Sequence, residues 1–287
     1  MKGLFILLIC TLSSQAISAQ SGWNTPGGSA YVKLNQWWIT TDEHYTDEGR
    51  LDPNLTTGLY TTSLYANIGL SDKWAGIAYL PFFSRSLHNN LLSGTTRDVI
   101  IPGEAINNIG DPQIGIQYQV WRGKHIALST GLYLGIPLGE TGGGDLGILQ
   151  TGDGEFNQIL RTDAGVSFTL GSLTGYGNVY LGYNNRSEGF SDEIRYGTEL
   201  GMNVIANRVL ALVRLYGIAS LRNGDGNIIS DGSSFFANNS EHLTISPEVN
   251  ILITDRLGVS AGLASVLDGR IIFAGTSYSL GIYYQIP

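Results

Sequence analysis

The sequence predicts an all-β fold: a transmembrane antiparallel up-and-down β-barrel of about twelve strands. Three observations predict it. A short turn recurs inside long alternating stretches: Leu70-Ser71-Asp72-Lys73-Trp74, Ile205-Ala206-Asn207-Arg208-Val209 and Ile253-Thr254-Asp255-Arg256-Leu257, with a looser copy at Trp121-Arg122-Gly123-Lys124-His125. On both sides of each turn, apolar residues alternate with polar or tiny ones at the strand period of two. Between the turns run longer excursions rich in Gly, Asn and Asp. Tight turns at one end and long polar loops at the other are the pattern of an outer-membrane barrel.

The N-terminus comes first. Met1-Lys2-Gly3, an apolar run from Leu4 to Leu12 and the small residues up to Ala19 predict a secretory signal peptide over 1–19. The apolar run is too short for a membrane-spanning helix, which needs roughly 20 residues. Its removal takes away Cys10, the only cysteine, so the mature chain has no disulfide or thiolate chemistry. Residues 20–28 are then a short N-terminal segment, and 29–287 the barrel. The predicted address is the bacterial outer membrane, with membrane lipid, lipopolysaccharide and the barrel-assembly machinery as partners.

Composition agrees. The net charge of −8 argues against nucleic acid, whose phosphates demand a basic face. Charged residues are 14% of the chain, against roughly 25% in ordinary soluble domains. The 39 glycines and 15 tyrosines suit a lipid-facing exterior around a bore lined with small and aromatic residues.

Strands are expected near 29–41, 57–71, 74–84, 111–121, 125–138, 157–171, 175–186, 193–206, 208–221, 240–254, 257–267 and 273–286. Ile126, Leu128, Leu132 and Leu134 share one face of the fifth, and Ala127, Ser129, Gly131 and Tyr133 the other. On the fourth, Ile114, Ile116 and Val120 oppose Gln113, Gln117 and Gln119. On the tenth, Leu243, Ile245, Val249 and Ile251 oppose His242, Thr244, Glu248 and Asn250. An even count puts both ends, and every tight turn, on the periplasmic side. The loops 42–56, 85–110, 139–156, 187–192, 222–239 and 268–272 then face outward, and 85–110 is long enough to fold into the bore. Trp74 and Trp121 sit where an aromatic belt would lie.

Three loop-border motifs carry a resemblance: Gly110-Asp111-Pro112-Gln113-Ile114-Gly115-Ile116-Gln117-Tyr118, Leu134-Gly135-Ile136-Pro137-Leu138-Gly139 and Gly152-Asp153-Gly154-Glu155-Phe156-Asn157. In this order and spacing they resemble the outer-membrane family named for the meta-pathway of phenol degradation, related to FadL-type transporters of hydrophobic compounds. The resemblance implies a channel for small, hydrophobic or aromatic solutes. The segment before the first strand is too short for a FadL-type plug, and a TonB-type plug domain is absent.

Strand parity assigns charges to the interior. Glu199 and Arg214 lie equally far from the turn at Ala206-Asn207, so a Glu199–Arg214–Glu248 cluster is expected near mid-height. It serves either as a structural ion network or as a constriction that selects ions. Arg161 and Asp163 share inward parity, as do Glu193 and Arg195 near the outer mouth. Tyr65, Tyr133, Tyr180 and Gln117 complete the lining. No cofactor, metal or catalytic group is assigned. His44 and His88 fall in outer loops, and His125 at a turn. His242 points inward near Ser240 and Thr244, whereas an outer-membrane lipid hydrolase must act on the lipid side. The carboxylates around Asp42–Glu48 and at Asp145, Asp153 and Glu155 lack ligand spacing. The expected role is passive passage of small molecules. The alternative is a non-transporting structural or adhesion barrel with a plugged bore.

Overall fold

Twelve antiparallel strands close into one barrel in the computed structural model, which describes residues 22–205, 208–225 and 235–287. The wall strands are β1 (Ala30–Tyr45), β2 (Leu51–Gly69), β3 (Trp74–His88), β4 (Gln113–Arg122), β5 (Ile126–Gly135), β6 (Asn157–Leu170), β7 (Leu173–Asn185), β8 (Glu193–Ile205), β9 (Val209–Ser220), β10 (Glu241–Leu252), β11 (Leu257–Arg270) and β12 (Thr276–Ile286). Each pairs with its neighbour in sequence. The seam closes where β1 pairs with β12 from Ala30↔Ile286 to Trp38↔Tyr278. Closure leaves no free sheet edge, the condition for strands in lipid.

The alternation sorts the two faces. Leu160 is 58% and Leu181 61% exposed on the outside, while Ser129 and Asp163 are fully buried within. Trp74 and Trp121 are exposed beside periplasmic turns, and Trp74 packs on Tyr118 with ring centroids 4.7 Å apart. The β6–β7 connection is two residues, Gly171-Ser172. Gly171 has φ +62°, the left-handed conformation that such a turn requires.

Glycine and tyrosine frequencies have one cause inside the bore. The Tyr133 ring lies on Gly115, where a Cβ would stand 2.3 Å from the ring, and Tyr283 lies on Gly258 at 2.2 Å. Large rings thus lie flat along the wall because the residue beneath has no side chain.

The outer rim differs from the sequence expectation. β1 and β2 run on to Tyr45 and Leu51, so the first outer loop is Thr46–Arg50 and not 42–56. Asp42, Glu43 and His44 are therefore wall residues. β3 reaches His88, and Glu104–Asn108 extends the wall beside it. β11 continues to Arg270, and Ile272–Ala274 pairs with the top of β1. β5 instead stops at Gly135, just before Pro137, which lacks a ladder donor. At Thr41–His44 both faces of β1 are polar, so the hydrophobic alternation that reveals a strand is lost there. The 89–112 loop forms a small hairpin, Leu91–Leu92 against Val99–Ile101. Leu91 and Ile101 of this loop line the outer mouth together with residues of other loops. Phe235 packs against Trp37 and Phe273 at 5.6 and 5.1 Å, and Leu149 is buried. The signal peptide expected at 1–19 and the Ala206-Asn207 turn centre lie outside the described residues.

Candidate functional site: the barrel lumen

Four charges meet in the bore, three near the middle of their strands and Lys33 near the start of β1. Glu199 on β8 is the register partner of Arg214 on β9, and their side chains are hydrogen-bonded. Arg214 Nη1 also donates to Glu248 Oε2 on β10 at 2.8 Å. Lys33 Nζ on β1 donates to the other oxygen of Glu248 at 3.2 Å, and the Tyr176 hydroxyl donates to Glu199 Oε1 at 2.6 Å. The group is electrically neutral, two cations against two carboxylates. Lys33 and Tyr176 were not singled out from sequence. Tyr176 shares parity with Tyr180. Lys33 is near Glu248 only because the seam brings β1 to β12 and β11.

Lys33 reaches Glu248 across bare backbone. A Cβ on Gly281 would stand 2.5 Å from Lys33 Cε, and one on Gly262 would stand 3.3 Å from Glu248 Cβ. Gly281→Ala is expected to displace the ammonium and destabilise the barrel by about 1.5–3 kcal/mol, the worth of a hydrogen bond to a charged group. Denaturant unfolding in detergent measures this; an unchanged midpoint would show that Lys33 finds an equal partner elsewhere.

A second unit lies on β6 and β7. Arg161 grips Asp163 with Nε at 2.9 Å and Nη2 at 2.6 Å, and its guanidinium lies 3.7 Å above the Tyr180 ring. Tyr65 packs beside Tyr133, Ile77 and Ile159. Gln117 donates to Ser129 at 2.6 Å. Nearer the outer mouth, Glu193 accepts from Arg195 at 2.8 Å and from Arg186 at 2.9 Å, and Arg186 continues to Asp153 at 3.3 Å. His242 Nδ1 lies 3.0 Å from Thr244 Oγ1, and its ring meets the Tyr216 ring edge-on. Among the described residues, no group of three or more His, Cys, Asp or Glu is arranged to hold a metal ion.

The motifs at the loop borders explain the outer rim. Asp111 accepts from the backbone N–H groups of Leu138 and Gly139 with Oδ1, at 2.9 and 2.7 Å. Its Oδ2 accepts from Asp153 N at 2.7 Å. One carboxylate thus staples both ends of the 136–156 loop to the start of β4. Gly152 is required because a Cβ there would stand 2.3 Å from Asp111 Oδ1. Glu155 lies buried beneath the same loop and accepts from Ser187 Oγ at 3.1 Å. Burial pushes its carboxyl up to about 7, against smaller opposing effects from Ser187 and Arg186. The folded state therefore binds the proton more tightly than the unfolded one. Its contribution is fully present below the ordinary carboxylate range and is lost as pH rises through about 7. Amide-exchange protection at residues 153–157 is expected to fall over that window and to stay level in Glu155→Gln.

The periplasmic mouth is crossed by the chain's own N-terminal segment. Gly22 N donates to Asn178 Oδ1 at 3.0 Å, and Gln119 Nε2 donates to Gly22 O at 2.6 Å. Asn24 N donates to Gln119 Oε1 at 2.7 Å, and Thr25 Oγ1 donates to Asn67 Oδ1 at 2.9 Å. The Trp23 ring lies over Gly165, within 2.4 Å of where a Cβ would be. Asn67, Gln119, Gly165 and Asn178 are inward positions on β2, β4, β6 and β7. The sequence tests this segment only against a FadL-type plug and does not anticipate these contacts. The segment is too short for a plug domain but long enough to form a strap.

Solved structures of similar architecture include an outer membrane channel from Pseudomonas putida F1, with TM-score 0.54 and 13% identity, covering 94% of this chain and 100% of that one. The NanC porin matches with TM-score 0.50 and 8% identity over 88% of this chain and 98% of that one. The beta domain of the Bordetella autotransporter BrkA gives 0.50 and 12% over 91% and 100%. At these identities the likeness is one of fold. No curated protein sequence matches the chain. The family model described as Putative MetA-pathway of phenol degradation matches residues 40–280, from β1 into β12, and the chain belongs to that family.

Proposed function

We propose that this protein is an outer-membrane channel for passive passage of small molecules, with apolar and aromatic solutes as the favoured class. The strap carries the reading. Gly22–Thr25 crosses the periplasmic mouth on hydrogen bonds to the inward side chains of Asn67, Gln119 and Asn178, to the carbonyls of Lys73 and Gln117, and from Arg122, and it pairs with no strand, so it can leave without breaking the ladder of the wall. The outer mouth supports the solute class, because its lining there turns from polar to aliphatic and aromatic. The expected surroundings are outer-membrane lipid and lipopolysaccharide, and assembly is expected to need the barrel-assembly machinery. The reading is of a channel and not an enzyme: His242 meets Thr244 and Tyr216 inside the bore, away from lipid.

One observation favours a second reading, a closed structural barrel. The inward side chains are tightly packed, with Asp163, Gln117, Ser129 and Tyr283 all buried. Liposome swelling and planar-bilayer conductance decide between the two. Solute flux with discrete current steps supports the channel. Silent bilayers with correctly folded protein, strap released, support the closed barrel.

A further inference from the structure

Charge in the bore is sorted by depth. Asp163, Glu193, Glu199 and Glu248 face inward with Lys33, Arg161, Arg195 and Arg214, and their formal charges cancel. Their exposures are unequal. The carboxylate side chains keep 1–10% of their surface accessible, and the cations 14–30%. In every pair the cation is the lumen side and the carboxylate the wall side.

Hydrogen bonding completes the asymmetry. Both oxygens of each carboxylate already have a donor. Asp163 accepts from Arg161 on both, and Glu193 accepts from Arg186 on one and from Arg195 and Asn184 on the other. Glu199 accepts from Tyr176 and Arg214, and Glu248 from Lys33 and Arg214. The donors are not all engaged. Arg195 commits Nε and Nη2 to Glu193, and Arg214 commits Nε and Nη1 to Glu199 and Glu248. Arg195 Nη1 and Arg214 Nη2 have no partner among the described residues, and neither is sealed from the lumen. The hydroxyls of Tyr180 and Tyr216 are in the same condition. The backbone gathers these four groups. Tyr180 and Tyr216 are the register partners of Gly197 on its two sides, Arg195 lies two residues above Gly197, and Arg214 pairs with Glu199 two residues below. The run covers about 13 Å of wall.

We propose that this stretch of the bore is a binding track for small carboxylate anions, held by Arg195 Nη1, Arg214 Nη2 and the Tyr180 and Tyr216 hydroxyls. A carboxylate brings two acceptor oxygens and no donor, which complements what the wall presents. A cation meets no carboxylate oxygen without a donor there. The exposed acids of the outer loops, Asp98 and Asp145 among them, act from a distance and are screened by salt, whereas a partly buried guanidinium is screened much less. The proposal rests on the channel reading for passage and adds to it the sign of the solute's charge.

Reversal potentials across a potassium acetate gradient test it, with the dilute bath at about 1 M, where the Debye length is roughly 3 Å. After correction for mobility, acetate should permeate about threefold better than potassium. Arg195→Gln should lose this preference, while Glu193 keeps Arg186 and Asn184. Arg195→Gln combined with Glu193→Gln brings the formal charge back to that of wild type and should not restore it, because the accessible guanidinium is still missing. Recovery in the double variant, or a wild type that favours potassium or neither ion, would overturn the proposal. Silent bilayers remove the channel reading and leave the track to a measurement that needs no conduction. Saturation-transfer NMR compares acetate with methylammonium on the mature protein in phosphatidylcholine nanodiscs, with empty nanodiscs subtracted. Stronger transfer to acetate, weakened by Arg195→Gln, keeps the track. Transfer that is equal, stronger to methylammonium or unchanged in the variant dismisses it.

Discussion

Arg214→Ala is expected to lower the unfolding free energy of the barrel by about 3 kcal/mol, the low end for removing one partner of a buried ion pair. The low end applies because the Arg214 side chain keeps 28% of its surface accessible. Wild type balances Lys33 and Arg214 against Glu199 and Glu248. The variant leaves Glu248 with Lys33, and leaves Glu199 with only the Tyr176 hydroxyl. The bore then carries one uncompensated negative charge, so any ionic current through it should shift toward cations. Glu199→Gln combined with Arg214→Met restores neutrality and keeps the Lys33–Glu248 pair, so most of the lost stability should return. Denaturant unfolding reads the first effect and reversal potentials the second. A stable variant with unaltered selectivity would reduce the group to one set of contacts among many.

Gln119→Ala is expected to open the periplasmic mouth. Its side chain accepts from Asn24 N and donates to Gly22 O, at 2.7 and 2.6 Å. At about 1 kcal/mol for each net hydrogen bond, losing both raises the released population of the strap roughly thirtyfold. Bilayer recordings should show more frequent or longer openings. The opposing variant pairs Thr25→Cys with Asn67→Cys, whose side chains touch in the closed form. Oxidation should hold the mouth shut, and reductant should release it. No cysteine lies between residues 11 and 287 to interfere. Open probability unaffected by either change would dismiss the strap as a gate.

The wall was legible in the sequence because lipid and bore impose opposite chemistry on alternate residues. Gln117, Ser129 and Leu132 declare their faces without help from neighbours. The upper strand ends were not legible. Asp42, Glu43 and His44 stand above the apolar belt, where both faces are polar and the pattern that betrays a strand disappears. Contacts across the seam were equally hidden. Lys33 meets Glu248 over Gly281 only after the last strand has docked on the first, and no local spacing encodes that. The Gly22–Thr25 contacts depend on inward residues of four separate strands. Asp111 is an intermediate case: its motif was visible, whereas its role as a three-amide staple needed the folded loop.

The pairing of β1 with β12 has a consequence for biogenesis. The strand made first waits, hydrogen-bonding groups unmet along one side, until the final residues of the chain arrive. That is the longest loop this polypeptide must close, and such closures come late. A nascent form of this protein is therefore an open ribbon, vulnerable to pairing with any other strand until its two ends join.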